Sequence, residues 1–223
     1  MTLTLDNVSY SYRTQYQTVN AVKEVSCILE QGLFYALVGK SGSGKTTLLS
    51  LLAGLETPES GTVLVDGNDL KSMDVDQYRR ETASVIYQNY NLFPLLTVLE
   101  NVMYPMLLQK KTKEEAAKRA GEVLKRVGLD ESYYKRLPAM LSGGEQQRVA
   151  IARALAINAD IILADEPTGN LDGENTKNII DLLYSLAHEE NCCVVVITHD
   201  QNVAEVADKV YRMDSGRLTD GGL

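Results

Sequence analysis

The stretch "LFYALVGKSGSGKTTLLSLLAGL", residues 33–55, changes character three times in a single pass. It opens on an unbroken apolar run, Leu33 through Val38, of the kind a strand shows when both of its faces are covered. Glycines follow at 39, 42 and 44, and then Leu48, Leu49, Leu51 and Leu52 recur at helical spacing. Strand, glycine-rich turn and helix are the unit from which α/β proteins are built. Within it, "GKSGSGKT" (residues 39–46) satisfies G-x-x-x-x-G-K-[ST] in the context that pattern needs. Backbone N–H groups of Ser41, Gly42, Ser43 and Gly44 form a concave anion nest, to which the helix N-terminus adds its positive end. Lys45 supplies a charge suited to β and γ phosphates, and the hydroxyl of Thr46 suits Mg²⁺. Lys40 occupies a variable position of the pattern and is given no role.

Outward from this unit the chain divides in two styles. Upstream and just downstream, short stretches alternate as half-buried strands do: Leu3, Leu5, Val8 and Tyr10, then "AVKEVSCILE", then "GTVLVDGNDL" with its Asp-Gly turn. These predict a small antiparallel layer. Further on, "ADIILADEP" and "CCVVVITHD" read as buried strands flanking an amphipathic helix, "KNIIDLLYSLAHEE", and short strands near "KVYRM" and "GRLTD" close the chain. The region 89–156 reads as helical, with Thr112 and Glu115 as a capping box and Gly128 as a stop. Strands bracketing a helical block predict an α/β fold: a P-loop NTPase core with a mainly parallel sheet, a small antiparallel β layer and an inserted α-helical subdomain. The expected division is 1–88 (core, antiparallel layer and P-loop), 89–156 (helical subdomain) and 157–223 (remainder of the core).

Composition narrows the class. With 223 residues, 44% hydrophobic and 23% charged, the chain can bury a substantial interior as a globular protein. No apolar run approaches the ~20 residues of a membrane helix, and "MTLTLDNVSY" lacks the flanks of a signal peptide. The expected compartment is therefore the cytosol. The formal charge of −8 argues against a nucleic-acid partner, and "QKKTKEEAAKR" interleaves its bases with acids as a solvated helix face does. Cys27, Cys192 and Cys193 fit neither a disulfide framework nor a zinc spacing, and are expected to be buried as small apolar residues.

Further polar residues fall at predicted strand ends. The apolar strand "IILAD" ends on Asp165, a natural Mg²⁺ partner, and Glu166 beside it is placed to take a proton from water. Gln88 follows "ASVIY" and suits orienting a water or touching Mg²⁺, and His199 follows "VVVIT" and suits a γ phosphate. A second glycine-marked helix start is "LSGGEQQR" (residues 141–148). Ser142 and Glu145 make a capping box there, and Gly143 and Gly144 leave the backbone N–H groups open to an anion.

Taken in order, Tyr12, "GKSGSGKT", "YQ" (87–88), "LSGGEQQR", "ILADEP", "GNLD" (169–172) and "THD" (198–200) resemble the nucleotide-binding subunit of ATP-binding cassette (ABC) transporters over essentially the whole chain. "LSGGEQQR" is the motif specific to that superfamily. The resemblance implies ATP and Mg²⁺ as cofactors. Tyr12 would stack on adenine, although Tyr10 and Tyr16 lie close by. Ser41 through Thr47 would wrap the phosphates, with Lys45 and Gln88 among the catalytic groups. Thr46, Gln88 and Asp165 would hold the metal, Glu166 would be the base, and His199 the switch histidine. It further implies a head-to-tail pair of cassettes, as a homodimer. In it Ser142, Gly143 and Gly144 of one copy meet the γ phosphate held by the other's Lys45, and Asp172 crosses beside the opposite site.

With one cassette and no membrane segment, the resemblance also implies a separate transmembrane permease and a peripheral location on the inner face of the cell membrane. Leu92, Phe93, Leu95 and Leu96 around Pro94 would form the groove for a coupling helix of that permease, or else a core helix entry. "ADEPTGNLD", "TVLENV" and "DSGRL" resemble a subgroup that powers lipoprotein release, macrolide or peptide export and bacitracin-type peptide resistance. A related cassette that regulates cell-wall hydrolases stays open as an alternative. A DNA- or ribosome-directed cassette lacks support, since there is no long coiled-coil insertion or second cassette. "LSGGEQQR" and "GNLD" speak against a P-loop kinase.

Overall fold

The computed structural model describes residues 1–169, 171 and 173–221; Asp172 of the "GNLD" loop lies outside the described residues. The chain opens on a long hairpin, β1 (Thr2–Arg13) and β2 (Thr18–Glu30), and then enters β3 (Phe34–Val38) and α1 (Lys45–Leu52). Next come β4 (Ser60–Val65), β5 (Asn68–Asp69), α2 (Val75–Glu81) and β6 (Ala83–Ile86). Three helices follow, α3 (Val98–Leu108), α4 (Lys113–Arg126) and α5 (Gly143–Leu155). The last part alternates: β7 (Ile161–Asp165), α6 (Gly173–His188), β8 (Cys193–Ile197), α7 (Gln201–Val206), β9 (Lys209–Asp214) and β10 (Arg217–Asp220).

Two sheets result. A four-stranded antiparallel sheet runs β2-β1-β4-β5, and a six-stranded sheet runs β10-β9-β3-β8-β7-β6, parallel throughout except for the β9–β10 hairpin. The apolar pattern of β1, odd at Leu3 and Leu5 but even at Val8 and Tyr10, records a bulge. Its pairing with β2 slips between Leu5 and Val8, where Asn7 takes φ 49°. The parallel strands read as continuous apolar runs because both faces are covered. Phe34, Ala36, Ile162, Ala164, Val194 and Val196 face the helical block, among Val102, Leu124 and Ile151. Their neighbours Tyr35, Leu37, Ile161, Leu163 and Val195 face α1 and the antiparallel sheet, among Leu3, Leu5 and Leu49. Alternation along each strand thus stitches two cores to one sheet.

The helical block is less continuous than its sequence suggests. Segments 87–97 and 127–142 hold no α-helix, and Pro94 and Pro138 fall in them. Capping boxes start α3 (Thr97, Glu100) and α4 (Thr112, Glu115), and Gly128, at φ 75°, follows the end of α4. Cys192 and Cys193 are buried and Cys27 is half-buried; burial pushes the Cys27 and Cys193 thiols up to about 12, which leaves them unreactive. Among the described residues no helix is long and apolar enough to cross a membrane.

Parallel pairing decides where chemistry can gather. The C-terminal ends of β3, β6, β7 and β8 lie on one edge of the sheet, the edge where open α/β sheets hold ligands. The loop of residues 39–44, Gln88, Asp165 with Glu166, and His199 each follow one of those strands.

Candidate functional site

A cavity of about 740 Å³ opens at this edge, lined by Tyr12, Gly39, Ser41, Gly42, Gly44, Lys45, Thr46, Thr47, Gln88, Asp165, Glu166 and His199. Sequence-predicted residues from five separate segments therefore meet in one cleft. Gly44 is the turning point of the loop. Its φ is 107°, and a Cβ there would sit 2.0 Å from the Ala21 carbonyl oxygen, so only glycine fits. No side chain caps α1, which leaves its first-turn N–H groups directed at the cleft.

Lys45 crosses back over the loop and donates to the carbonyls of Gly39 (2.8 Å) and Lys40 (2.9 Å). An ammonium has three donors, so one N–H stays available to an anion. The Thr46 hydroxyl donates to Asp165 Oδ2 at 3.0 Å. Burial raises the Asp165 carboxyl above its ordinary range; the Thr46 bond lowers it and the neighbouring Glu166 raises it further. A hydroxyl beside a partly desolvated carboxylate is a hard-oxygen pair that suits Mg²⁺. Among the described residues no group of three or more His, Cys, Asp or Glu side chains gathers as a closed cage. Mg²⁺ characteristically takes few protein ligands and fills its sphere with phosphate and water.

Glu166 stands at φ 48°, its amide donating to the Ile197 carbonyl, and its Oε1 lies 2.9 Å from His199 Nδ1. The Glu166 side chain is only 14% exposed, against 76% for His199, so the carboxylate is the packed partner of the pair and the histidine the solvated one. That hydrogen bond raises the His199 pKa. Glu166 and His199 also line a second hollow, of about 520 Å³, with Thr168, Thr176, Asp200 and Glu205.

The structure separates the three tyrosines. Tyr12 lines the cleft, its hydroxyl 3.3 Å from Thr47 Oγ1. Tyr10 stands edge-on to it at 5.1 Å and gives its hydroxyl to Glu56, whose hydrogen bond pushes the phenol up to about 12, while Tyr16 is 93% exposed. Ser43 is buried, and its side chain is not on the cleft wall. Ser142, Gly143 and Gly144 do not line the cleft either. They start α5, where the Ser142 amide donates to Glu145 Oε2 (2.7 Å) and the Glu145 amide to Ser142 Oγ (3.3 Å).

Several residues of the site carry no sequence signal. Ser215 and Gly216 of the β9–β10 turn line the cleft, and Gly216 donates to the Ser43 carbonyl while accepting from the Lys23 amide. Both take positive φ, the signature of a hairpin turn, and "DSGR" would have identified the turn but not its contact with the loop.

A second groove, of about 310 Å³, is lined by Arg79, Tyr87, Asn91, Phe93, Tyr104 and Arg153. Of the four apolar residues expected around it, only Phe93 is there, 4.7 Å from the Tyr104 ring. Leu92 packs on the core and Leu95 is 88% exposed. The cause is Asn101, fully buried, which accepts from the Phe93 amide and donates to the Phe93 and Leu96 carbonyls. It folds residues 93–96 into a turn that directs successive side chains apart.

Comparison with known proteins agrees with this geometry. The ABC transporter family profile matches residues 22–169. The lipoprotein-releasing system ATP-binding protein LolD of Francisella tularensis is 43% identical over 221 residues, covering 97% of this chain and 95% of that protein. The macrolide export ATP-binding/permease protein MacB of Mannheimia succiniciproducens is 42% identical over 206 residues, covering 91% of this chain but 32% of that longer protein. A solved dimeric structure of the cassette MJ0796 of Methanocaldococcus jannaschii superimposes with TM-score 0.93 at 39% identity, over 99% of this chain and 100% of that one. A second structure of MJ0796, a dimeric post-hydrolysis state bound to ADP and Pi, matches with the same TM-score at 38% identity and the same coverage.

Proposed function

Given that the chain belongs to the ABC transporter family and is an ATP-binding ATPase, we propose that it acts as one half of a head-to-tail homodimer. In that dimer the Lys45 loop of one copy and Ser142, Gly143 and Gly144 of the other enclose each ATP. The observation that supports this reading is a spatial one: two helix starts suited to phosphate lie in one chain, and only one of them lines its cleft. Either half alone leaves the γ phosphate unmatched on one side, so closure and nucleotide binding favour each other.

Tyr12 stacks on the base, and the loop amides with Lys45 hold the phosphates. Thr46 and Asp165, with Gln88, hold Mg²⁺, which when bound offsets phosphate charge. Glu166 accepts a proton from water as its oxygen attacks the γ phosphorus and the bond to the ADP oxygen breaks; His199 leaves Glu166 to contact the γ phosphate. Residues 89–156 act as the helical subdomain that carries the second half-site, between core segments 1–88 and 157–223.

A separate permease docks at the Phe93–Tyr104 groove, which places this subunit on the cytoplasmic face of the membrane. Similarity to LolD and MacB supports an export or release system for a lipoprotein, peptide or drug. The test is Glu166→Gln. Loss of the base should lower turnover about 10²–10⁴-fold while ATP stays bound, so that the variant elutes as a dimer on size exclusion with ATP and Mg²⁺. From detergent-solubilised membranes it should bring down a stoichiometric polytopic partner. A variant that stays monomeric at saturating nucleotide overturns the shared site; recovery with ribosomes or DNA alone overturns the transporter reading.

A further inference from the structure

Residues 90 and 91 sit between the cleft and the groove. Gln88, on the cleft wall, lies just upstream, and Phe93, in the groove, just downstream. Tyr90 and Asn91 both take left-handed backbone angles, φ 51° and 48°, which non-glycine residues adopt only when their surroundings hold them there. Their amides donate to the Tyr87 and Asn89 carbonyls, and their own carbonyls are held by one side chain. Arg153, in the last turn of α5, donates through Nη1 to the Asn91 carbonyl (2.6 Å) and through Nη2 to the Tyr90 carbonyl (2.8 Å). Its guanidinium also stands 6.0 Å from the centre of the Phe93 ring. At the opposite end of the same helix, the Tyr90 phenol reaches the first turn. A Cβ on Gly143 would lie 2.9 Å from that hydroxyl, so the phenol would have to shift to admit one.

The segment is therefore bonded to the last turn of α5 by a guanidinium and lies against its first turn through a phenol. A helix is stiff, so displacement at one fastening is transmitted to the other. We infer that Tyr90 and Arg153 are positioning residues: they form a two-point strap between residues 90–91 and the two ends of α5, and it sets the placement of Gly143. Neither lines the cleft of its own chain. The fork geometry of arginine matters, because two adjacent carbonyls are held by two N–H groups of one rigid plane, and a lysine ammonium cannot reproduce that pairing. The inference rests on the shared-site reading above.

The experiment uses Glu166→Gln as the parent and adds Arg153→Lys, Arg153→Met or Tyr90→Phe, with Mg²⁺ and ATP as the probe. Losing a charge-assisted bond should raise the ATP concentration for half-maximal dimer about fivefold or more in Arg153→Lys, further in Arg153→Met, and less in Tyr90→Phe. Monomer affinity for ATP, read at protein concentrations too low for dimer, should stay within about twofold, because the cleft is untouched. A structural defect would instead lower both together. Unchanged dimerisation in Arg153→Lys and Arg153→Met, or a parallel loss of monomer affinity, overturns the strap. If Arg153→Met does not fold by circular dichroism, Arg153→Lys and Tyr90→Phe decide the matter. If the parent itself never dimerises, the shared site fails and the strap with it; a dimerising parent with indifferent variants condemns the strap alone.

Discussion

The two glycine-marked helix starts of this chain solve the same local problem in opposite ways. At α1 the turn is made by Gly44 and no side chain caps the first-turn donors. At α5 the capping box of Ser142 and Glu145 takes up both the N-cap amide and the N3 amide. The nearby cation differs as well: Lys45 stands at the first, whereas the second has a carboxylate, Glu145, which the Ser142 amide holds below its usual range. A helix that caps itself gives up much of its capacity to bind an anion alone. What α5 retains is the amides of the glycines, since the Ser142 hydroxyl also bonds the Glu145 carboxylate; that is enough only to complete an anion site held mainly by something else. On the shared-site reading, the difference means that α1 captures phosphate and α5 recognises phosphate already captured.

The largest expected effects set these two roles against each other. Lys45→Met removes the ammonium from the first half-site and should weaken ATP binding by the monomer about 100-fold, the worth of one strong charge-assisted hydrogen bond. Ser142→Arg should leave monomer affinity within about twofold and still lower hydrolysis at least about 100-fold, because it closes the recognition surface only. Titrating a fluorescent ATP analogue into each variant at low protein concentration, beside phosphate release at high concentration, separates the two. A matching loss of affinity in Ser142→Arg would mean that α5 serves its own chain's nucleotide, and the contrast would collapse.

A smaller effect tests how each start is built. Gly44→Ala forces a side chain to φ 107° and against the Ala21 carbonyl, and should cost about 2 kcal/mol or more of stability. Glu145→Ala opens the capping box and should cost about 1 kcal/mol. Urea denaturation of both variants measures the pair. Equal costs would show that the α1 turn relaxes more easily than its geometry implies.

How much of this was legible in the sequence follows from the range of the interactions. The self-capping of α5 and α4 is a contact across three residues, and the letters Ser142–Glu145 and Thr112–Glu115 spell it out. The parallel core is legible because alternating faces of β3, β7 and β8 leave no polar position to break the run. The convergence of Asp165, Glu166 and His199 follows once the strands are known to be parallel. The β9–β10 turn against Ser43, the turn folded by Asn101 and the Arg153 fork leave no such trace. Each depends on one polar side chain or one backbone group meeting a carbonyl or amide, and such partners have no period to reveal them. The grouping of Leu92, Phe93, Leu95 and Leu96 misled for the same reason: apolar letters in a row say nothing about which way a turn directs them.

The smallest effect comes from the two histidine–carboxylate pairs, which occupy opposite edges of the sheet. His199 and Glu166 meet at the C-terminal edge, with the histidine largely in water, so their pairing adds little to stability and is free to break during turnover. His188 meets Asp208 at 3.1 Å by the N-terminal edge, where Asp208 also accepts from the Phe34 amide at 2.7 Å, and both side chains are only 29% exposed. The Tyr184 carbonyl first, and Asp208 with it, raises the His188 pKa above 6.5. A histidine raised in the folded state adds stability that is fully present below the unfolded value and is lost as pH rises through the folded one. His188→Gln should therefore cost about 0.5–1 kcal/mol near pH 6 beyond any constant loss of packing on Tyr184, and that excess should fall away as pH rises through the raised folded value. His199→Gln should show a smaller pH-dependent excess of the same sign, because the His199 pKa is also raised but the pair lies largely in water, while lowering turnover. Denaturation of both variants across this range, beside their phosphate release, makes the comparison. A larger excess in His199→Gln than in His188→Gln would place the structural pair at the cleft, and the division between the binding edge and the structural edge of the sheet would have to be redrawn.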